Sequence, residues 1–271
     1  MAESPLRSVR DQVDGVTIHA LVSANSPAAR TGPTIVFVHG LGVSTRYMEP
    51  TMARLAQAHS VAGPDLPGFG RSGSPRHTLS LPELAEALMR WLDVRGIGPC
   101  VFVGNSFGCQ VIVECAVREP HRALGLVLNA PTMDPAHRTA VSQLLRVIAD
   151  IPREPMMLAV HVARDYLRAG PFRLFATLRS ALADHVEEKL PRLTMPVLVV
   201  CGGRDPVVTV RWADEVRQLV GRDRPDAAGA TLRIIPDAAH ALPFDDPATF
   251  ASCIEELLAR LASPTVPPHH G

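Results

Sequence analysis

Short apolar runs, several almost unbroken by polar residues, alternate along this chain with stretches of helical period. Strands are predicted over residues 16–22, 34–40, 60–65, 100–104, 123–131, 195–203 and 230–240. The run "TIVFVHG" is almost continuously apolar, the pattern of a central parallel strand buried on both faces. Between the strands, residues 48–58, 80–96, 107–120 and 245–262 read as helices. The second is well signalled, with Ser80 as cap, Pro82 just inside and Gly96 past its end. Such alternation predicts an α/β protein built on a mostly parallel sheet.

One region breaks the rhythm. Residues 134–190 carry helical periodicity without a strand signal, as three helices over 138–151, 155–170 and 171–190 separated by proline. No Gly/Ser-rich linker isolates them, so they read as an insertion. The expected division is a core of residues 1–133 and 191–262, a helical insertion over 134–190 and a frayed, Pro-rich tail over 263–271.

Composition narrows the picture. A chain of 271 residues can bury a sizeable core as one large domain. Its 27 basic and 27 acidic side chains balance, so no whole-chain field recruits nucleic acid or an anionic membrane. No apolar run approaches the roughly 18 residues of a membrane span, and the N-terminus lacks the signature of a secretory signal. The five cysteines lack metal-ligand spacing and read as reduced core thiols of a cytoplasmic protein. The expected partner is a small-molecule substrate, with no nucleic acid, membrane, metal or organic cofactor; the oligomeric state is not legible.

Four segments at the C-terminal ends of predicted strands carry chemistry, at the sheet edge where open α/β proteins bind ligands. Gly104-Asn105-Ser106-Phe107-Gly108 fits G-x-S-x-G between strand and helix. There a tight turn strains the backbone of the serine and projects its hydroxyl above the sheet. The Phe107 N–H, opening the helix, points into the same space as an oxyanion donor. His39-Gly40-Leu41-Gly42 follows a strand and can offer the Leu41 N–H as a second donor, with His39 held in the loop as a structural residue. Asp205, in "GGRDP", and His240, in "PDAAHALP", each follow a later strand.

The order Ser106, Asp205, His240 is that of the α/β-hydrolases. On "HGLG", "DLPGFGRS", "GNSFG", "GGRDP" and His240, the chain from about residue 16 to 262 resembles the serine-nucleophile branch of that superfamily. The resemblance implies an α/β-hydrolase fold: an eight-stranded, mostly parallel sheet flanked by helices, with a helical lid after strand six. It implies a Ser106–His240–Asp205 triad and an acyl-enzyme. "DLPGFGRS" is expected to be architectural, Asp65 and Arg71 pinning their loop by a charge-assisted bond.

A carboxylesterase-type activity on a small or medium apolar substrate leads. A carbon–carbon bond hydrolase of ring-cleavage diketones follows, since "GNSFG" resembles that group's elbow. A thioesterase or perhydrolase and a non-catalytic binding protein of the same fold are the remaining readings. Some relatives carry the acid after the sixth strand, where this chain has Asp134. For the substrate pocket the candidates are His39 and, in the insertion, Met156, Met157, Leu158, Val160, Phe172, Leu174 and Phe175. These also read as buried helix faces. His161, Arg164, Asp165 and Arg168, at helical spacing, read as a solvated, ion-paired face or as a means of capturing an anionic substrate.

Overall fold

The computed structural model describes residues 4–24 and 32–262. Eight strands, β1 (Leu6–Val13), β2 (Val16–Ser23), β3 (Ile35–Val38), β4 (Val61–Pro64), β5 (Cys100–Asn105), β6 (Ala123–Asn129), β7 (Val197–Gly202) and β8 (Ala230–Ile235), form one sheet. Its order is β1-β2-β4-β3-β5-β6-β7-β8. The pairs from β4 through β3 to β8 are parallel, while β1 and β2 join antiparallel at one edge. β3, β5 and β7 are buried at every residue, as their unbroken apolar sequences require.

Helices cover both faces. On one side α2 (Leu81–Val94), α3 (Phe107–Arg118) and α8 (Val210–Leu219) pack against the sheet around Trp91 and Trp212. On the other lie α1 (Glu49–Leu55) and α10 (Pro247–Ala262), around Phe37 and Phe250. α2 starts in a capping box: the Glu83 carboxylate accepts from the Ser80 backbone N–H at 2.7 Å. All five cysteines are buried and unpaired. Among the described residues no helix is long and apolar enough to cross a membrane.

Between β6 and β7 the chain forms α4 (Ala140–Asp150), α5 (Met156–Ala169), α6 (Pro171–Ala183) and the short α7 (Val186–Lys189). The third expected helix thus breaks at Asp184–His185. The expected tail over 263–271 lies outside the described residues.

Two expectations change. β1 is an additional strand, joined to β2 through Asp14-Gly15, both at positive φ (49° and 77°). Asp-Gly between paired Val13 and Val16 is the sequence of a two-residue hairpin. Asp65 does hold its loop, but the side chain of Arg71 takes no part in the pinning bonds. The carboxylate accepts from the backbone N–H of Arg71 (2.9 Å) and Thr45 (2.8 Å), and its side-chain partner is the His19 ring at 2.9 Å. Buried so deeply, Asp65 needs donors fixed by the loop itself. Burial opposes its charge, and the His19 bond and these N–H groups outweigh that, lowering its pKa.

Candidate active site

Ser106 sits between β5 and α3 with φ 56° and ψ −121°, a conformation L-residues rarely adopt and one that costs roughly 1–3 kcal/mol. The surroundings enforce it. Ser106 N–H donates to Asn129 O on β6 at 3.0 Å, and Cys109 N–H donates to Ser106 O at 3.0 Å. The flanking glycines are steric necessities: a Cβ at Gly104 would stand 2.7 Å from Cys109 N, and one at Gly108 would fall on the Val38 carbonyl oxygen. β3 and α3 therefore touch only because residue 108 has no side chain.

His240 lies in the turn between β8 and α9 (Leu242–Asp245), and its Nδ1–H donates to Asp205 Oδ2 at 2.9 Å. Asp205 follows β7, and its other oxygen accepts from the N–H groups of Val207 (2.7 Å) and Val208 (3.0 Å). The carboxylate is thus fixed from one side and offered to the imidazole from the other. Burial works against a charged His240, but the nearby Asp205 charge and hydrogen bond, with Asp150 and Glu154, raise its pKa to about 9. Asp134 takes no part here: it caps a short turn by accepting from Ala136 N–H at 2.9 Å.

Ser106, His240, Leu41 and Phe107 border one cavity of about 390 Å³. Its wall is mainly carbon, with Val43, Leu158, Val162, Leu174 and Leu178 among the contributors. The insertion helices supply much of it. On α5 the lining residues are Leu158, Ala159, Val162 and Tyr166, one stripe of the helix. That phase excludes most of the expected substrate contacts. Met156, Met157, Val160, Arg164 and Arg168 face outward, and His161 stands edge-on to Phe244. Phe172 is 91 % exposed on α6, whereas Leu174 and Phe175 line the cavity.

Two further expectations are corrected. Asp165 is not part of a solvated face: it is buried and accepts from Ser44 Oγ at 2.5 Å, tying α5 to the loop after β3. His39 is fully buried off the cavity wall. Its Nδ1–H donates to Gly40 O (2.8 Å) and its Nε2 accepts from Leu66 N–H (2.9 Å). Burial lowers its pKa, so it is a neutral strut between two loops.

Several lining groups were not anticipated. Tyr47 accepts from Gly40 N–H at 3.1 Å and donates to Asn105 Oδ1 at 2.6 Å; Asn105 Nδ2 in turn donates to His240 O at 3.3 Å. This chain of bonds links the Leu41 loop, the serine turn and the histidine turn. Asn105 occupies a variable place in G-x-S-x-G, and nothing in sequence marks Tyr47. Asp150 and Glu154 also line the cavity. Burial, opposed by His240 and reinforced by Glu154 and Asp205, raises the Asp150 pKa to about 7. Burial, with the hydrogen bond and charge of Glu154, raises that of Asp245 behind them to about 8. An acid at 150 on the apolar stripe of Leu144, Val147 and Ile151 was the available signal.

Comparison with known proteins agrees with this architecture. Residues 35–252 match the model of the "Alpha/beta hydrolase family". RutD of Variovorax paradoxus (strain S110), provisionally named a carbamate hydrolase, is 27 % identical over 87 % of this chain and 95 % of its own length. The bifunctional biotin-biosynthesis protein BioHC of Cellvibrio japonicus (strain Ueda107) is 25 % identical over 86 % of this chain, which spans only 49 % of that protein. The enol-lactonase of Burkholderia xenovorans LB400 superposes with a TM-score of 0.76 over 93 % of this chain and 100 % of that one, at 20 % identity, a likeness of fold alone. With its family model matched across most of its length, the chain belongs to the alpha/beta hydrolase family.

Proposed function

We propose that the chain is a serine hydrolase that cleaves carboxylic esters of small or medium apolar acids, with residues 134–190 roofing the site as a lid. The observation that carries this reading is the His240–Asp205 hydrogen bond of 2.9 Å on the rim of the cavity that also holds the strained Ser106. His240 removes the proton of Ser106 Oγ as the oxygen attacks the ester carbonyl, and Asp205 orients the imidazole and stabilises its charged form. The N–H groups of Leu41 and Phe107 receive the oxyanion. The alcohol leaves with the proton from His240, and a water deprotonated by the same imidazole releases the acid. The carbon-rich wall supports an apolar acyl group, and Leu144, Val147, Ile151 and Phe175 extend it to the exposed mouth.

Carbon–carbon cleavage of ring-fission products is the weaker reading. Those substrates carry a carboxylate, and no Arg or Lys is among the described residues lining the cavity. The test is a panel of 4-nitrophenyl esters of graded chain length, a thioester and a vinylogous diketone, each given to wild type and Ser106→Ala. Hydrolysis of medium-chain esters that falls by at least ~10³-fold in the variant supports the proposal. Turnover of the diketone alone, or ester hydrolysis indifferent to Ser106, refutes it.

A further inference from the structure

Apart from the site's own imidazole, the cavity's ionisable lining is acidic and partly unpartnered. Asp150, at the end of α4, is 8 % exposed, and its Oδ1 has no hydrogen-bond partner. Thr132, just after β6, is 5 % exposed, and its Oγ1 also has none. The two come from different elements yet open onto the one cavity that holds Ser106 and His240. A buried carboxylate without donors is unfavourable unless it takes up a proton or a cation arrives to meet it.

Within the protein only a neighbouring acid can meet it, Asp150 bonding to Glu154 when the two share a proton. His240 is engaged by Asp205, and Glu154 and Asp245 add negative charge beside Asp150 when they are ionised. A bound metal ion is a poor answer. Among the described residues the only trio of candidate ligands with atoms mutually within 4.8 Å is His185, Glu187 and Glu188, elsewhere on the surface. A cation that displaces this shared proton has to come with the substrate.

We propose that Asp150, with the Thr132 hydroxyl beside the same cavity, is a specificity subsite for an ammonium or other cationic N–H group of the substrate. The site then favours esters bearing such a group over neutral isosteres and rejects those bearing a carboxylate. This deepens the serine-hydrolase reading and rests on it.

Three matched esters test it: 4-nitrophenyl 6-aminohexanoate, 4-nitrophenyl heptanoate and mono-4-nitrophenyl adipate, which end in ammonium, methyl and carboxylate. Wild type should prefer the ammonium ester to the heptanoate by at least about tenfold in kcat/KM, with the adipate slowest. Asp150→Asn should bring the ammonium-to-neutral ratio close to one while retaining heptanoate hydrolysis. A wild-type ratio near one, or one that survives in Asp150→Asn, overturns the subsite. Ser106-dependent hydrolysis of the heptanoate would still leave the hydrolase reading standing.

If no ester is hydrolysed, that reading fails and calorimetry with n-butylammonium decides the subsite alone. Binding at least about tenfold weaker in Asp150→Asn supports it, and equal affinity overturns it. Should that variant not fold, the wild-type ratio is followed from about pH 8.5 to about pH 6. Protonation of Asp150, faced by His240, Glu154 and Asp205 with Asp245 behind, should lower the ratio, and His240 titration cancels between the two substrates. A flat ratio overturns the proposal.

Discussion

In the proposed mechanism His240 has to be neutral to accept a proton from Ser106, and its surroundings favour the charged form. With its pKa raised to about 9, activity on a neutral ester should rise roughly tenfold per pH unit below that value and level off above it. Asp205→Asn should shift the inflection down and lower kcat by about 10⁴, because the imidazole loses the partner that sets its tautomer. Asp150→Asn should move the inflection the same way with a much smaller loss. A profile centred near pH 6.5 in wild type, measured as kcat/KM, would contradict this electrostatic picture. Tyr47 makes a different prediction, because it touches no reacting atom. Tyr47→Phe removes the link between Gly40 N–H and Asn105 Oδ1 and leaves both groups unpaired in the interior. A positioning role predicts a fall in kcat of about tenfold with KM and the pH inflection unchanged. A merely structural role predicts a lower melting temperature and full activity of the folded fraction.

The acids at the ends of α4 and α9 make stability depend on pH in an unusual direction. Asp150 and Asp245 have folded-state pKa values of about 7 and about 8, above the ordinary carboxyl value. The native state therefore holds more protons than the unfolded chain, and stability present below about pH 4 is lost as pH rises through both values. His240 adds the same sign, its contribution complete below about pH 6.5 and lost through about 9. The melting temperature should fall by several degrees between about pH 6 and about pH 9, and Asp245→Asn should flatten the upper part of that slope. A melting temperature that rises over this window would mean the acids are paired in a way the structure does not contain. These elements were unevenly legible in sequence. β3, β5 and β7 announced themselves because both faces are buried. β1, at the sheet edge with Arg7, Ser8, Arg10 and Gln12 exposed, carries too little apolar period, although Asp14-Gly15 marks its hairpin. The helices of the insertion were legible as helices, but their rotation was not. Periodicity gives a face and not the partner it meets, so of the α5 candidates only Leu158 lines the cavity, with Val162 and Tyr166 in place of Met157, Arg164 and Arg168. Ser106, Asp205 and His240 stood out because each follows a strand at the same sheet edge. Tyr47 and Thr132 did not, since only tertiary contact gives them a place.

Across the whole molecule the insertion is tied to the core by buried polar links at several points. Ser44 Oγ donates to Asp165 on α5; Gln110 Nε2 donates to Asp184 (2.9 Å) and to Ala181 O (3.0 Å); and Ser180 Oγ accepts from Leu81 N–H at 2.8 Å. Lys189, the sole lysine, pairs with Glu114 of α3 at 2.6 Å and with Asp184. α6 and α7 are therefore anchored through α2 and α3. α5 depends more on Asp165, and the segment joining α4 to α5, with Ile151, Pro152 and Arg153, is exposed. Asp165→Ala leaves the Ser44 hydroxyl without its acceptor and removes the buried bond between α5 and the loop after β3, so the site should loosen before the sheet does. Limited trypsin digestion should then cut after Arg153 several-fold faster than in wild type, while near-native far-UV dichroism persists. Because α5 forms one wall of the cavity, KM for a medium-chain ester should rise in the same variant more than kcat falls. Cleavage at an unchanged rate, or a loss of kcat with KM intact, would show that α5 is held by its apolar contacts alone and that Asp165 is dispensable to the roof.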